Sequence, residues 1–153
     1  VFSQGLAKNT SLQHLSLRHC PIGDDGCEIL CRTVMDRPNL ITLALIDCQL
    51  TAKGAFHVSK LIKAQELVRF DESWKHTLRY QSVDHSLLPG LRRITLNGNP
   101  SIGDKGLAHI VDVVVDDLWM KGRQNSLALY ILFDFARMFF YFDERNKEIS
   151  IVG

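Results

Sequence analysis

The 153-residue chain lacks a dominant charge of either sign: its formal net charge is +1 and its pI about 7.9. A protein that grips a phosphate backbone presents a strongly basic face, so nucleic acid is not an expected partner. No Cys-x-x-Cys pair occurs, and no His pair stands near Cys20, Cys27, Cys31 or Cys48 to complete a tetrahedral metal site. Gly-x-Ser-x-Gly, a phosphate-cradling glycine loop and His-Glu-x-x-His are all missing. No catalytic residue, metal or cofactor is therefore expected, and the chain is not read as an enzyme.

Long apolar runs are scarce too. The longest, Leu127–Phe142, is apolar at 14 of 16 positions and is broken by Asp134 and Arg137. That is shorter than the roughly 20 residues a membrane-spanning helix needs, and a membrane is not expected as a partner. The chain opens on Val1 within an amphipathic pattern, as a piece of a longer protein would. The four cysteines each fit a repeat or helix position, so they read as reduced thiols of a cytosolic protein.

What the sequence does have is a period. Leu12, Leu15, Leu17, Cys20, Ile22, Gly26 and Leu30 return 28 residues later as Leu40, Leu43, Leu45, Cys48, Leu50, Gly54 and Val58. A third copy follows as Leu91, Ile94, Leu96, Asn99, Ile102, Gly106 and Ile110, with one extra residue between Asn99 and Ile102. This is L-x-x-L-x-L-x-x-(N/C)-x-L with a helical half attached. The alternating leucines put one face of a short strand into a core. The Asn or Cys marks the turn out of the strand, where a carboxamide bonds the turning backbone or a thiol fills the slot as a weak donor.

The glycines fall near each helix start and allow close packing. Asp24, Thr51 and Asp104 are the expected N-caps. The helices are expected to bury Ile29, Leu30 and Val34, then Val58, Leu61 and Ile62, then Ile110, Val113 and Val114. His57 and His109 read as partly buried helix-face residues. The expected fold is α/β, a leucine-rich-repeat solenoid resembling the ribonuclease-inhibitor type. Parallel strands line its concave side and helices its convex side, and each unit leans on its neighbours.

About three repeats occupy residues 1–121. An insertion near 64–89 separates the second from the third; its start can prolong the second helix, and Ser82–Ser86 reads as loop. Two readings of it stand. Either Trp74 tucks against the convex helices, or Trp74, Arg79 and Tyr80 form a partner-binding patch, since Trp, Tyr and Arg dominate interface hot spots. Residues 122–153 break the repeat, and the Tyr130–Phe142 stretch is crowded with aromatics. They read as a transmembrane helix, an apolar helix capping the solenoid or, the favoured reading, sequence foreign to the parent protein and outside the repeat domain. Caps carry a polar outer face that this stretch lacks, so no site is sought there.

The residues between the strand leucines should form three columns on the concave face: His14, Thr42 and Arg93; Ser16, Ala44 and Thr95; Arg18, Ile46 and Asn97. These nine positions are the main candidate contact surface. Their polar, mildly basic character suits other proteins as partners.

The run Leu12-Gln-His-Leu-Ser-Leu-Arg-His-Cys-Pro-Ile-Gly-Asp-Asp-Gly26 resembles the leucine-rich-repeat domain of the centrosomal protein of 78 kDa family. Asp71-Glu-Ser-Trp-Lys-His-Thr-Leu-Arg-Tyr80 is similar to that family's own insertion, and Gly90-Leu-Arg-Arg-Ile-Thr-Leu-Asn97 and Asp117-Leu-Trp-Met120 add to the likeness. The resemblance covers about residues 1–121. It implies a non-catalytic scaffold at the centrosome, centriole and ciliary basal body that works in ciliogenesis and binds centrosomal or ciliary proteins. It also implies further repeats on both sides and a downstream coiled coil. Two alternatives share such repeats: an enzyme regulator of the Ran GTPase-activating or inhibitor type, and an innate-immune sensor. The first would need a longer solenoid and an acidic tail, the second an upstream phosphate loop.

Overall fold

The computed structural model describes residues 2–37, 39–81, 90–121, 130–132, 139–143 and 148–152. The elements run α1 (Phe2–Lys8), β1 (His14–Arg18), α2 (Gly23–Val34), β2 (Thr42–Ile46), α3 (Ala52–Tyr80) and β3 (Arg93–Thr95). A short 3₁₀ turn (Pro100–Ile102) leads into α4 (Gly103–Lys121), followed by β4 (Tyr130–Leu132), β5 (Phe139–Asp143) and β6 (Glu148–Val152). Strand and helix thus alternate, giving an α/β fold of the leucine-rich-repeat kind.

The strands form one sheet in sequence order. β1 pairs with β2 in parallel, Leu15 against Leu43 and Leu17 against Leu45. β2 pairs with β3 in parallel, Leu43 against Ile94. Residues that share a repeat position therefore lie side by side. Helix α1 packs on α2, α2 on α3 and α3 on α4. One apolar core joins Leu43, Leu45, Ile94 and Leu96 of the strand segments to Leu30, Val34, Val58, Leu61, Ile62 and Ile110 of the helices. Leu6 of α1 also joins this core; Leu6, Val34 and Ile62 recur at 28-residue spacing. Helix α1 thus occupies the place of a repeat helix.

The turn out of each strand has a fixed form. The residue before the Cys/Asn position takes a left-handed backbone every time: His19 and Asp47 at φ 53°, Gly98 at φ 72°. Asp and His tolerate that region better than most side chains, and glycine is free in it. Next comes the buried polar group. Asn99 Nδ2 donates to the carbonyls of Leu45 (2.8 Å), Leu96 (2.9 Å) and Asn97 (3.2 Å). Its Oδ1 accepts from the amides of Cys48 (2.9 Å) and Leu50 (3.1 Å) in the preceding repeat. The Cys48 thiol reaches the equivalent carbonyls of Leu17 (3.4 Å) and Ile46 (3.6 Å).

At Gly106 an added Cβ would stand 2.5 Å from Ile102 Cγ2 and 3.0 Å from Ala55 Cβ, so the close packing expected at this glycine is present. The expected caps hold only in part. Thr51 is the N-cap of α3 and accepts from the Lys53 amide. Asp24 and Asp104 lie inside helices that begin at Gly23 and Gly103. Asp24 instead bonds the Thr51 amide (2.9 Å) and hydroxyl (2.6 Å), bracing the start of the next helix.

Ile29 was expected in the core and is 55% exposed. The buried stripe of α2 is Cys27, Leu30, Cys31 and Val34, the i, i+3, i+4, i+7 set, and Ile29 falls outside it. Val113 packs against the core from a partly buried position; the Val114 side chain lies outside the described residues. His57 is largely covered, while His109 lies at the surface with its ring 5.2 Å from that of Phe56.

The insertion extends α3 to 29 residues. No proline or glycine interrupts positions 64–80, and Lys75 bonds Glu72 (2.7 Å) and Asp71 (3.5 Å) one turn back. Gln81 ends the helix at φ 56°, its amide donating to the Thr77 carbonyl. The loop expected at Ser82–Ser86 lies outside the described residues. Trp74 is 57% exposed, so it is not tucked against neighbouring helices.

Helix α4 ends at Lys121. Beyond it the described pieces are strands, not the single helix that two readings of this stretch required. β4 pairs in parallel with β3, and β5 and β6 add antiparallel. Aromatic and β-branched residues dominate these pieces and favour extended backbone.

Replacing Asn99 leaves several buried amides and carbonyls without a partner. Asn99→Ala is expected to lower the unfolding free energy by about 3 kcal/mol or more, read from urea titration midpoints at unchanged slope. Asn99→Cys, which restores one weak donor, should recover part of the loss. Equal stability of Asn99→Ala and the parent chain would contradict this assignment.

Candidate functional site

The helices cover only one side of the sheet. Because strand side chains alternate, the residues between the core leucines project from the other side. In β1, His14, Ser16 and Arg18 are exposed while Leu15 and Leu17 turn inward. The strand register aligns His14 with Thr42 and Arg93, and Ser16 with Ala44 and Thr95. Arg18 pairs with Ile46. Past the end of β3 the column continues to Asn97, whose carbonyl accepts from the Asp47 amide (3.0 Å) as the Ile46 carbonyl accepts from the His19 amide (2.9 Å). All nine expected column residues therefore come together on one face.

The face has a relief. Its middle column, Ser16, Ala44 and Thr95, is made of small side chains, and Ala44 is buried. The outer columns carry His14 and Arg93 on one side and Arg18 on the other. Three of the nine residues are basic and none is acidic. Beyond the Arg18 column, His19 Nδ1 meets Asp47 Oδ2 at 2.8 Å, an exposed link between successive repeats. Small side chains thus occupy the middle column, and the basic groups stand in the columns on either side of it.

Trp74, Arg79 and Tyr80 do not form one patch. At about 100° per residue, they point to three different sides of α3. All three are exposed, and Trp74 shares its face with Leu67 and Leu78 instead.

Side chains that sequence reasoning overlooked hold the repeats in line. Gln65 is buried in α3. Its Nε2 donates to the carbonyls of Val34 (3.1 Å), Met35 (3.4 Å) and Arg37 (3.2 Å), where α2 ends. Its Oε1 accepts from the Leu91 amide (2.9 Å), where the chain returns to the sheet after the insertion. The Arg37 guanidinium and Asn39 carboxamide grip the Ala7 and Thr10 carbonyls in the same manner one repeat earlier. A polar residue on the core face of an apolar helix was the available signal for Gln65.

The cysteines form no site. Cys27 and Cys31 lie 3.8 Å apart in the core; the hydrogen bond from Cys27 and burial push the Cys31 thiol well above the ordinary thiol range. Burial raises Cys48 as well. Such thiols stay protonated and unreactive. Among the described residues, no three His, Cys, Asp or Glu side chains gather in a metal-binding group, and no helix is long and apolar enough to cross a membrane.

Residues 8–31 match the leucine-rich-repeat family. The chain is 45% identical over 119 residues to the centrosomal protein of 78 kDa of Mus musculus, covering 78% of this chain and 15% of that protein. It is 44% identical over 121 residues to the Homo sapiens protein of the same name, covering 79% and 18%. The Drosophila melanogaster relative, protein Cep78 homolog, is 42% identical over 121 residues, covering 79% and 15%. The chain thus spans less than a fifth of the length of these curated relatives.

Asp24 supplies a pH test of the bracing. Burial alone would raise its carboxyl, but hydrogen bonds from the Thr51 hydroxyl and amide, then the Gly54 amide and the Lys53 charge, outweigh burial and hold it below its ordinary value. A depressed folded-state value adds stability above the unfolded-state pKa, about 3.9 for Asp, and the gain disappears as pH falls through the folded-state value. Acidification through this range should therefore lower the urea midpoint of the parent chain more than that of Asp24→Asn. Parallel pH profiles for the two proteins would contradict the bracing role.

Proposed function

We propose, on the premise that this chain belongs with the centrosomal proteins of 78 kDa over 79% of its length, that it is a protein-binding scaffold segment working at the centrosome without catalysis. The observation that carries the reading is the uncovered strand face. Nine side chains from three successive rungs share it, in a chain whose relatives are named for the centrosome.

The chemistry suits recognition. A parallel sheet backed by helices holds the columns rigid, so a visiting segment meets preorganised side chains and little ordering entropy is lost on this side. The small middle column lets a partner backbone or side chain approach closely. Arg18 and Arg93 provide planar donors for carboxylates and carbonyls on the rims, with His14 beside Arg93's column. The partner is thus a protein surface rich in acceptors. The arrangement fits a solenoid of the ribonuclease-inhibitor type with its strands on the concave side. Within the cell, the reading places the chain at the centriole and the ciliary basal body, in ciliogenesis. Neither an enzyme-regulator nor an immune-sensor role has a comparable observation behind it.

Capture from ciliated cells tests this. The parent chain should retain centrosomal proteins that Arg18→Glu/Arg93→Glu loses, while both proteins unfold at similar denaturant concentration because these side chains are exposed. An unchanged set of captured proteins would refute the strand face as the contact surface.

A further inference from the structure

The nine residues of the strand face form a three-by-three grid, because β1, β2 and β3 lie side by side and alternate residues of each project from it. Arg93 shares its column with His14, and Arg18 lies four residues beyond His14 on β1. The two arginines therefore stand at opposite corners of the grid. Both are exposed, and buried Ala44 occupies the centre between them. The other diagonal, from His14 through Ala44 to Asn97, has no arginine or lysine at either end.

The two guanidiniums are uncompensated. Elsewhere on the surface, Lys53 is bonded to Asp25, Arg32 to Glu28 and Lys75 to Glu72. Among the described residues, no carboxylate lies within ion-pair distance of Arg18 or Arg93. Asp47, which follows Ile46 of the grid, is held by His19 at 2.8 Å. Neighbouring strands are about 4.8 Å apart and each residue advances about 3.3 Å, so the two Cα positions are about 16 Å apart. That is about twice the screening distance at physiological ionic strength. Each arginine can thus hold a carboxylate of its own.

This spacing selects among acidic segments. In an α-helix, residues i and i+11 are about 16.5 Å apart along the axis and only about 20° apart around it. Two carboxylates at that spacing reach both corners from one side of one helix. In an extended segment five residues cover the same length, but alternate side chains would point the two carboxylates to opposite sides. Four or six residues restore the side and miss the span by about 3 Å. Between the arginines, the short methyl group of Ala44 admits the middle turn of a helix, and a larger side chain there would hold the helix off.

Taking the strand face as the contact surface proposed above, we infer that it receives an acidic α-helix of the partner protein. The helix lies along the Arg18–Ala44–Arg93 diagonal, with carboxylates at i and i+11 on the two guanidiniums. A guanidinium fork meets a carboxylate through two parallel hydrogen bonds, so the pair of arginines sets both the direction of the helix and its register.

Fluorescence anisotropy on the full 153-residue chain tests this with helical peptides of alanine and glutamine. They are about 20 residues long, enough to hold a helix in water. Both ends are blocked and the dye is uncharged, so two glutamates carry the only charges. In one peptide they stand at i and i+11; in the other they stand at i and i+9, on opposite sides of the helix. The first should bind the parent chain about tenfold or more tightly than the second, and added salt should remove most of the difference. Arg18→Glu/Arg93→Glu should lose this preference and instead favour a peptide with lysines at i and i+11. Misfolding cannot produce that reversal. Ala44→Leu, with an unchanged far-ultraviolet circular dichroism spectrum, should bind the first peptide several-fold more weakly. Equal binding of the two glutamate peptides, or equal binding by the parent and Ala44→Leu, would overturn the inference. So would tighter binding of an extended, proline-containing peptide with glutamates at i and i+4. If capture from ciliated cells still depended on Arg18 and Arg93 in that event, the strand face would stand as a contact surface, so the two readings fail separately.

Discussion

A chain that turns back through its own interior at every repeat must bond the backbone groups it buries there, because an amide or carbonyl left dry without a partner costs about 1–3 kcal/mol. Asn99 meets that requirement with one carboxamide. It joins three carbonyls of the strand turns to two amides of the preceding repeat. The period of the sequence follows from this need: a polar group has to stand at the same distance past every strand. Cys48 occupies the slot with a thiol that can donate only once and weakly, so at this slot the third repeat bonds the second through more groups than the second bonds the first.

Around that fastening the repeats are tied at both helix ends. Asp24 of α2 holds the cap residue of α3, and Gln65 of α3 closes the last carbonyls of α2. These cross-links join elements one period apart, as expected of a fold whose units stack only on their neighbours. They fix the strands in register, and register turns nine scattered residues into three columns. A slip of one residue would send His14, Ser16 and Arg18 inward and the leucines outward. The three-column face is thus a consequence of the core.

Residues that repeat were legible in the sequence, because one physical demand is met again at the same spacing. Leu15, Leu43 and Ile94 share a rung, and the columns between them followed from strand alternation alone. Single-use residues were harder to read. Gln65 closes a helix end and receives the chain after an insertion found once, so no second copy announces it. Asp24 looked like a cap for its own helix and serves the next one, which depends on how two helices sit side by side. Ile29 is apolar yet falls outside the buried stripe of α2. The strands at Tyr130–Leu132, Phe139–Asp143 and Glu148–Val152 carry no repeat signature, and their apolar composition suits a helix as readily as a buried strand. The patch expected at Trp74, Arg79 and Tyr80 came from residue type, whereas helix geometry groups Trp74 with Leu67 and Leu78.

The central claim is that the uncovered strand face meets the partner while the helical side supports it. A photoreactive amino acid placed at Ser16 in the middle column, and in a second protein at Asp112 on α4, tests this directly. Irradiation in ciliated cells should join centrosomal proteins to the Ser16 probe and not to the Asp112 probe. Cross-links formed from Asp112 and absent from Ser16 would contradict the account.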